Sequence, residues 1–214
     1  MRLFFAVHLP PGHRRAVLET LRAARGLALR WVEEDSLHLT LKFLGECEPD
    51  LVDALAAEAL VPAGTTAFTL TLAERVSGFP DLSSRSRVVH LPLQAGQAAI
   101  GRLADHLDAV AGGYGIARET RPFHAHLTLA RVKQGPLDAR TVMNLREVAM
   151  PPAVTASFPV AGFSLMASEL RPQGAAYREV RAFALPPAAA VRPRSPHPQR
   201  DALVVAPSWR TPIE

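Results

Sequence analysis

The sequence predicts an α+β fold built from two similar halves. One reason is that the tetrapeptide His-Leu-Thr-Leu (HLTL) occurs twice, at residues 38–41 and 126–129. The other is that the elements predicted around both copies follow the same order: strand, helix, HLTL strand, helix, strand. Internal repeats of this kind indicate a duplicated structural unit. We therefore expect the halves to pack about a pseudo-twofold axis, with the two HLTL strands facing each other across a cleft.

The first half contains three predicted strands and two predicted helices. Strands are predicted where apolar residues run together or alternate, and helices where they recur every three to four residues. Prolines and glycines mark the boundaries, because Pro is tolerated in the first turn of a helix and Gly commonly ends one. The predicted elements are a strand at 2–9, a helix from 10–12 to 26, the HLTL strand ending at 45, a helix from 49 to 62 and a strand at 67–79.

The second half repeats this order after a polar loop at 80–87. Its helix after the first strand has a clear apolar stripe, which includes Ile100, Leu103 and Leu107. The predicted elements are a strand at 88–91 ended by Pro92, a helix at 96–111, the second HLTL strand, a helix from 135 to 150, a strand at 156–168 and a last strand at 177–183.

The composition changes at Pro186. Residues 186–214 are rich in Pro, Ala and Arg and show neither the helical nor the strand period. Such a segment does not bury enough apolar surface to offset its chain entropy. We therefore predict a single bilobal domain at residues 1–185, followed by a disordered tail at residues 186–214.

Each HLTL strand carries a histidine and a threonine on one face. Successive side chains of a strand alternate between its faces, so His38 and Thr40 lie together and the leucines lie opposite. The same parity joins His126 to Thr128. A single histidine on a strand is most often structural. A polar pair that recurs on two otherwise apolar strands costs stability unless something satisfies it, so the repeat indicates a functional site.

Two imidazoles and two hydroxyls across a cleft suit the cleavage of a phosphodiester without a metal. A neutral imidazole can take a proton from an attacking water, while a protonated imidazole gives one to the leaving oxygen. The hydroxyls can donate to the non-bridging phosphate oxygens, where charge must be held. These residues alone do not choose the substrate.

Metal binding is an alternative use of the histidines. His124 and His126 form an H-x-H pair, which needs a third ligand to hold zinc. No nearby carboxylate or cysteine completes such a site, so we predict no metal and no cofactor. The single cysteine, Cys47, cannot form an intramolecular disulfide and is expected to be structural. The sequence has no P-loop, no G-x-G-x-x-G after a strand and no G-x-S-x-G motif.

The chain is mildly basic, with a net charge of +4 and a pI near 10.0. This fits an anionic partner such as nucleic acid. The basic side chains other than Lys42 and Lys133 are arginines, whose forked donors suit phosphate, although a genome that favours Arg codons explains the same bias. No apolar run is long enough to span a membrane, and the N-terminus lacks the pattern of a signal peptide. We expect a cytoplasmic monomer that does not bind membranes.

Five longer stretches run through residues 1–185 in a distinctive order: RLFFAVHLP, LHLTLKFLGE, GFP, RPFHAHLTLARV and FSLMASELRPQGAAYREV. The paired HLTL motifs resemble the two-histidine (2H) phosphoesterase superfamily, which is defined by two H-x-T/S-x motifs. The longer stretches around these motifs are similar in sequence to the RNA 2′,3′-cyclic phosphodiesterases of bacteria and archaea, also called 2′-5′ RNA ligases. The resemblance implies two antiparallel sheets around a central V-shaped cleft, with flanking helices.

The resemblance also implies an activity and the residues that perform it. The expected reaction is metal-independent hydrolysis of a 2′,3′-cyclic phosphate at an RNA end to a 2′-phosphomonoester, with reversible 2′-5′ ligation as a side activity. His38 and His126 are then the catalytic pair, and Thr40 and Thr128 bind the phosphate. Arg131 matches the family's basic residue after the second motif. Strict alternation puts Arg131 on the face opposite His126, so it reaches phosphate only if the strand ends or bulges there.

Two departures from the family concern RNA recognition. His90 stands where the family often has an aromatic residue, and His124 stands where it often has a basic one. We expect RNA contacts from His124, Phe123 and Lys42. We assign His38 as the acid and His126 as the base, although pseudo-symmetry makes the reverse chemically equivalent.

Two other functions remain open from the sequence. A non-catalytic RNA-binding module could keep the same fold, but binding alone does not need both imidazoles. A phosphodiesterase for small cyclic nucleotides or for tRNA-splicing products would use the same residues. The expected partners are therefore RNA ends that carry a cyclic phosphate, including tRNA fragments.

Overall fold

The computed structural model describes residues 1–24, 26–57, 60–171 and 174–188. The strands in these ranges are β1 (Arg2–His8), β2 (Leu29–Trp31), β3 (His38–Glu46), β4 (Phe68–Leu72), β5 (Ser77–Phe79), β6 (Val88–Ala95), β7 (His126–Val132), β8 (Phe158–Val160), β9 (Gly162–Arg171) and β10 (Gly174–Ala184). The helices are α1 (Pro11–Leu21), α2 (Pro49–Ala57), α3 (Gln97–Gly113), α4 (Ala139–Glu147) and α5 (Pro152–Thr155). None of these helices is long and apolar enough to cross a membrane.

The strands pair antiparallel throughout, and the α+β prediction is confirmed. Their order is β10-β9-β1-β3-β7-β6-β4-β8, with β2 added beside β7 and β5 beside β6. One lobe contains β10, β9, β1 and β3, and the other contains the remaining strands. The lobes meet where Leu39 of β3 pairs with Leu127 of β7. The two HLTL strands therefore lie side by side at the centre of the molecule.

The strand order has the pseudo-twofold symmetry that the duplication predicts. Reading outward from the centre, β3 is followed by β1 and β9, and β7 is followed by β6 and β4. Strand β4 belongs to the first half of the sequence but pairs in the second lobe, and β9 does the reverse. The two halves thus exchange their third strands, so each lobe contains strands from both halves of the sequence.

The core lies on the face of the sheet that the leucines of the HLTL strands occupy. Leu39, Leu127 and Leu129 are fully buried there. Burying one such side chain is worth about 1.5–3 kcal/mol. Helices α1 and α3 cover this face with their apolar stripes, and the residues they bury are Val17, Leu21, Ile100, Leu103 and Leu107. The opposite face is left for the cleft.

The sequence predicts that the strand at residues 88–91 is ended by Pro92, but strand β6 continues to Ala95. The carbonyl of Pro92 accepts a hydrogen bond from the amide of Ala73 at 2.9 Å, so this edge of Pro92 faces residues 73–76, between β4 and β5. A proline has no N–H to donate to a neighbouring strand. The gap between β4 and β5 lies beside this edge of Pro92, so no donor is needed from residue 92. The same gap divides the single strand predicted at 67–79 into β4 and β5.

Other boundaries also differ from the prediction. Helix α1 ends at Leu21 rather than at Gly26, and α4 begins only after Asp138, whose carboxylate caps it by accepting from the amide of Thr141 at 2.8 Å. The strand predicted at 156–168 is split at Ala161, because β8 pairs with β4 and β9 pairs with β1 in the other lobe. The short elements β2 and α5 were not predicted.

Residues that pack on the body of the protein continue slightly beyond residue 185. Leu185 is buried, and the carbonyl of Pro186 accepts a hydrogen bond from the amide of Ala67 at 2.7 Å. Most of the tail predicted at 186–214 lies outside the described residues.

Candidate active site

Both HLTL strands contain a β-bulge at the same position. In β3, Thr40 lies opposite Ala6 and Lys42 lies opposite Phe5, so Leu41 has no partner on β1. In β7, Thr128 lies opposite His90 and Ala130 lies opposite Val89, so Leu129 is the extra residue. An extra residue reverses the alternation of side chains beyond it.

The bulge in β7 brings Arg131 to the same face as His126 and Thr128. Leu129 and Ala130 are both fully buried, and Arg131 is exposed on the cleft side. Its charge acts on both catalytic candidates, since it lowers the pKa of His38 and of His126 behind the larger effect of burial. The condition that the sequence set for Arg131 is therefore met.

The bulge in β3 has the opposite consequence for Lys42. Its side chain turns into the protein, where only 2% of it is exposed, and its ammonium lies 2.8 Å from a carboxylate oxygen of Asp108 in α3. It also donates to the carbonyl of Ala117 at 2.7 Å. The RNA contact predicted for Lys42 is wrong, because its ammonium is buried on the core side of the sheet and binds the carboxylate of Asp108.

Phe43 occupies the position in β3 that Arg131 occupies in β7. It is 59% exposed on the cleft side and packs on Phe4, with the ring centroids 5.8 Å apart. The cleft is therefore asymmetric beyond its two histidines, with a cation on the wall of one lobe and an aromatic ring on the other. Phe43 is not among the site residues predicted from the sequence, and the bulge that recurs in β3 and β7 is the signal that places it in the cleft.

Backbone carbonyls orient the imidazoles of His38 and His126. Nδ1 of His126 lies 2.7 Å from the carbonyl oxygen of His124, and a carbonyl only accepts, so Nδ1 carries a hydrogen. Nε2 is then the nitrogen left for a substrate. The ring of His38 makes the corresponding bond to the backbone of Ser36, also two residues earlier.

Aromatic rings hold each imidazole from the sides. The ring of His38 packs against Phe4 and Tyr177, with centroid distances of 4.9 and 5.2 Å. The ring of His126 packs against Phe79 at 4.9 Å and His90 at 5.2 Å, and these two rings stack on each other. Contacts on several sides restrict rotation of the imidazoles, as proton transfer with a fixed partner requires.

Burial makes the histidines of the cleft hard to protonate in the free protein. Burial, followed by the neighbouring His8, lowers the pKa of His38 to about 4, and the bond to Ser36 only partly opposes this. Burial also lowers the pKa of His126, against the bond to the His124 carbonyl. Burial likewise lowers the pKa of His90 to about 4. All three are therefore neutral at pH 7, and an anion in the cleft would favour their protonation.

The two threonines lie beside the histidines on the cleft face. Thr40 and Thr128 are half-buried, and neither hydroxyl bonds to another group within the described part of the chain. Each can therefore donate to a ligand without breaking an internal bond. The structure thus brings His38, His126, Thr40, Thr128 and Arg131 to one face.

Phe123 and His124 line a cavity of about 970 Å³ on the His126 side of the cleft. Phe79, His90 and Arg121 contribute to the same wall. The predicted RNA contacts of Phe123 and His124 are compatible with this position and remain predictions. The H-x-H pair gains no third ligand, since no group of three or more His, Cys, Asp or Glu side chains among the described residues is arranged to hold a metal. Cys47 is buried away from the site.

Paired antiparallel strands with a histidine and a threonine from each half on a common face define a two-histidine phosphoesterase fold. The family model for the 2′-5′ RNA ligase superfamily matches residues 9–171. The chain belongs to this superfamily.

Curated relatives from bacteria and archaea are similar along most of the chain. An RNA 2′,3′-cyclic phosphodiesterase of Escherichia coli K12 is 34% identical over 188 residues, which cover 86% of this chain and 96% of the relative. One from Thermus thermophilus is also 34% identical, covering 86% of this chain and 90% of the relative. One from Aeropyrum pernix is 32% identical, covering 77% and 91%.

Solved structures agree in fold over the same region. A crystal structure of a Thermus thermophilus protein superposes with a TM-score of 0.69 and 30% identity, covering 87% of this chain and 99% of that one. Escherichia coli LigT in complex with 3′-AMP superposes with a TM-score of 0.65 and 29% identity, covering 86% and 97%.

Proposed function

We propose that the protein hydrolyses the 2′,3′-cyclic phosphate at the end of an RNA chain to a 2′-phosphomonoester. The observation that carries the proposal is the duplicated His-Thr pair. One pair comes from each lobe, and both lie on the cleft face of the adjoining strands β3 and β7. Membership of the superfamily and the names of the curated relatives support the same activity.

The residues of the cleft supply what this reaction needs. Water attacks the phosphorus as one imidazole takes its proton, and the bond from phosphorus to O3′ breaks as the other imidazole protonates that oxygen. The phosphate stays on O2′. The hydroxyls of Thr40 and Thr128 and the guanidinium of Arg131 hold the charge that develops on the non-bridging oxygens. None of these steps uses a metal ion, so we propose that turnover is independent of one.

The two histidines can take the acid and base roles in either order. The assignment from sequence makes His38 the acid and His126 the base. The pKa values do not separate the two assignments, because burial leaves both His38 and His126 neutral at pH 7 in the free protein. The negative charge of the substrate raises the pKa of both imidazoles, because an opposite charge favours the protonated form. A substrate whose leaving group needs no proton separates the two assignments.

The finer features of the function are proposals as well. When the 5′-hydroxyl of a second RNA attacks the cyclic phosphate in place of water, the bond from phosphorus to O3′ breaks and a 2′-5′ phosphodiester forms, so we propose weak and reversible 2′-5′ ligation through the same groups. We propose that the protein acts as a cytoplasmic monomer on RNA ends, including those of tRNA fragments.

The test is to incubate the purified protein in EDTA with an oligoribonucleotide that ends in a 2′,3′-cyclic phosphate and to identify the product isomer. We expect a 2′-phosphomonoester at a rate that EDTA does not change. Binding without conversion would favour the non-catalytic RNA-binding module. Conversion of cyclic mononucleotides but not of oligonucleotides would favour a small-nucleotide phosphodiesterase, and dependence of turnover on added zinc would favour the H-x-H metal site.

A further inference from the structure

Two arginines face each other at the end of the cleft beyond the catalytic residues. Strand β2 pairs with β7 so that Arg30 lies directly opposite Arg131. Cross-strand partners point to the same face of a sheet, about 4.5–5.5 Å apart. Their neighbours Leu29 and Ala130 are buried on the core side, and both arginines are exposed. Arg30 therefore extends the cleft-facing surface one strand beyond Arg131.

This pair has no counter-charge among the residues that the structure describes. Neither guanidinium makes an ion pair or a side-chain hydrogen bond to any of the residues that the structure describes. Like charges directly opposite each other on a sheet destabilise it. Several other arginines of this chain have carboxylate partners, such as Arg85 with Asp81 and Arg118 with Asp108. An unneutralised arginine pair beside an active site is the arrangement that an anion would stabilise.

The cyclic phosphate does not need both arginines. It carries one negative charge, and Thr40, Thr128 and Arg131 already provide donors for its non-bridging oxygens. Residues 33–37, which connect β2 to β3, lie outside the sheet. They separate Arg30 in β2 from Thr40 in β3, and both of these strands pair with β7. A second cation displaced along the cleft matches a second phosphate on the same ligand.

We propose that Arg30 binds the phosphate on the 5′ side of the terminal nucleotide, which is the phosphodiester that joins this nucleotide to the rest of the RNA. This subsite deepens the proposed function, because it makes the enzyme prefer an RNA end over a free cyclic nucleotide. Arginine suits the task, because its planar fork binds two phosphate oxygens at once.

The experiment compares three substrates with Arg30→Ala. The first is a nucleoside 2′,3′-cyclic phosphate, the second is the same compound with a 5′-phosphate, and the third is a dinucleotide ending in the cyclic phosphate. We expect kcat/KM of the variant to fall about tenfold to a hundredfold on the second and third substrates, the usual loss for a charge-assisted hydrogen bond. On the first substrate we expect a change of less than about threefold. Arg15→Ala in α1, an exposed arginine on the core-covering helix, is the matched control and should affect none of them.

Binding measurements make the test independent of turnover. Adenosine 2′,5′-bisphosphate should bind the wild-type protein more tightly than 2′-AMP, and Arg30→Ala should remove this preference. It should also lower the slope of log Kd against log salt for a single-stranded RNA by about 0.7. The thermal midpoint of the variant should stay unchanged or rise, since a like-charge repulsion is removed.

Three results would overturn the proposal: an equal loss on all three substrates, no loss on any of them, or an unchanged preference for the bisphosphate. Wild-type protein that turns over none of the substrates would contradict the proposed function, and the bisphosphate measurement would still decide whether the Arg30 subsite exists.

Discussion

At the scale of single residues, the site depends on the alternation of side chains along each strand and on the bulges that interrupt this alternation. His38 and Thr40 share a face because a strand alternates, and this much follows from the sequence. Arg131 and Lys42 both lie beyond a bulge, which exchanges their faces relative to simple alternation. The sequence predicts that Arg131 reaches the cleft only if β7 ends or bulges there, and the prediction for Lys42 lacks the same condition for β3. Simple alternation therefore puts Lys42 in the cleft, and the bulge in β3 puts it in the core. The partner of Lys42, Asp108, is 66 positions away in the chain and is brought near only by the fold.

The threonine hydroxyls give a prediction at this scale. Thr40→Val and Thr128→Val keep the side-chain shape but remove the donor to the phosphate. We expect each to lower kcat by about 10²-fold, which is the usual loss when a donor to a developing oxyanion is removed. Steady-state kinetics on an RNA end would measure this loss.

Thr40→Ser and Thr128→Ser are the matched controls, since they retain the hydroxyl and should retain most of the activity. A serine variant as impaired as its valine counterpart would show that the methyl group, rather than the hydroxyl, is what the site requires.

At the scale of elements, the ion pair between Lys42 of β3 and Asp108 of α3 helps to anchor the segment that precedes His126. Asp108 of α3 accepts from the Lys42 ammonium, from Arg118 and from the amide of Glu119. Residues 117–119 are thereby attached to the helix, a few positions before Phe123. Burial alone would raise the pKa of Asp108, but the hydrogen bonds from Lys42 and Arg118 outweigh it and hold the pKa at about 2.

Lys42→Met should destabilise the protein by about 3–5 kcal/mol, because it leaves a buried carboxylate without one of its partners. The free energy of unfolding in urea at pH 7 measures this. Lys133→Met is the control, because Lys133 is the other lysine and is exposed, and we expect it to change stability by less than about 0.5 kcal/mol.

The pH dependence provides a second readout of the same pair. A carboxyl whose pKa is lowered by folding stabilises the protein above its unfolded pKa and loses this effect as the pH falls through its folded pKa. In the wild type, the contribution of Asp108 should therefore disappear between about pH 4 and about pH 2. In Lys42→Met the folded pKa of Asp108 should rise, so its contribution should be smaller and its loss should be complete at a higher pH. Equal stability of Lys42→Met and wild type at pH 7 would contradict this account.

At the scale of the whole molecule, the duplication was readable and the exchange of strands was not. The order of elements and the repeated HLTL motif predict two halves about a pseudo-twofold axis. They do not indicate that β4 and β9 cross to the opposite lobes, because strand pairing over long distances leaves no periodic signal in one sequence. Pro92 shows a similar limit, since a proline ends a strand only if its missing N–H was needed for pairing.

Removal of residues 189–214 is a prediction at this scale. We propose, from composition alone, that this segment adds little to the stability of the domain. The boundary follows Leu185 and Pro186, which pack on the body. A chain ending at Ala188 should keep its thermal midpoint within about 2 °C and its turnover within about twofold, by the sensitivity expected of a domain of this size. A drop of about 5 °C or more would mean that the removed segment packs on the body.

The central claim is that His38 and His126 act as an acid–base pair on a cyclic phosphate. The most direct measurement uses His38→Ala and His126→Ala with two substrates, a normal cyclic end and one in which sulfur replaces O3′. Thiolate leaves without a proton from the enzyme, so this substrate bypasses the acid but still needs the base.

On the normal substrate, each variant should lose about 10²–10⁴-fold in rate, and the wild-type rate should be bell-shaped in pH with limbs that belong to the coupled pair. The sulfur substrate should restore one variant and not the other. Rescue of His38→Ala would support the assignment made from sequence, and rescue of His126→Ala would support the reverse assignment. If neither variant loses activity on the normal substrate, or if sulfur restores both equally, these histidines are not the catalytic pair.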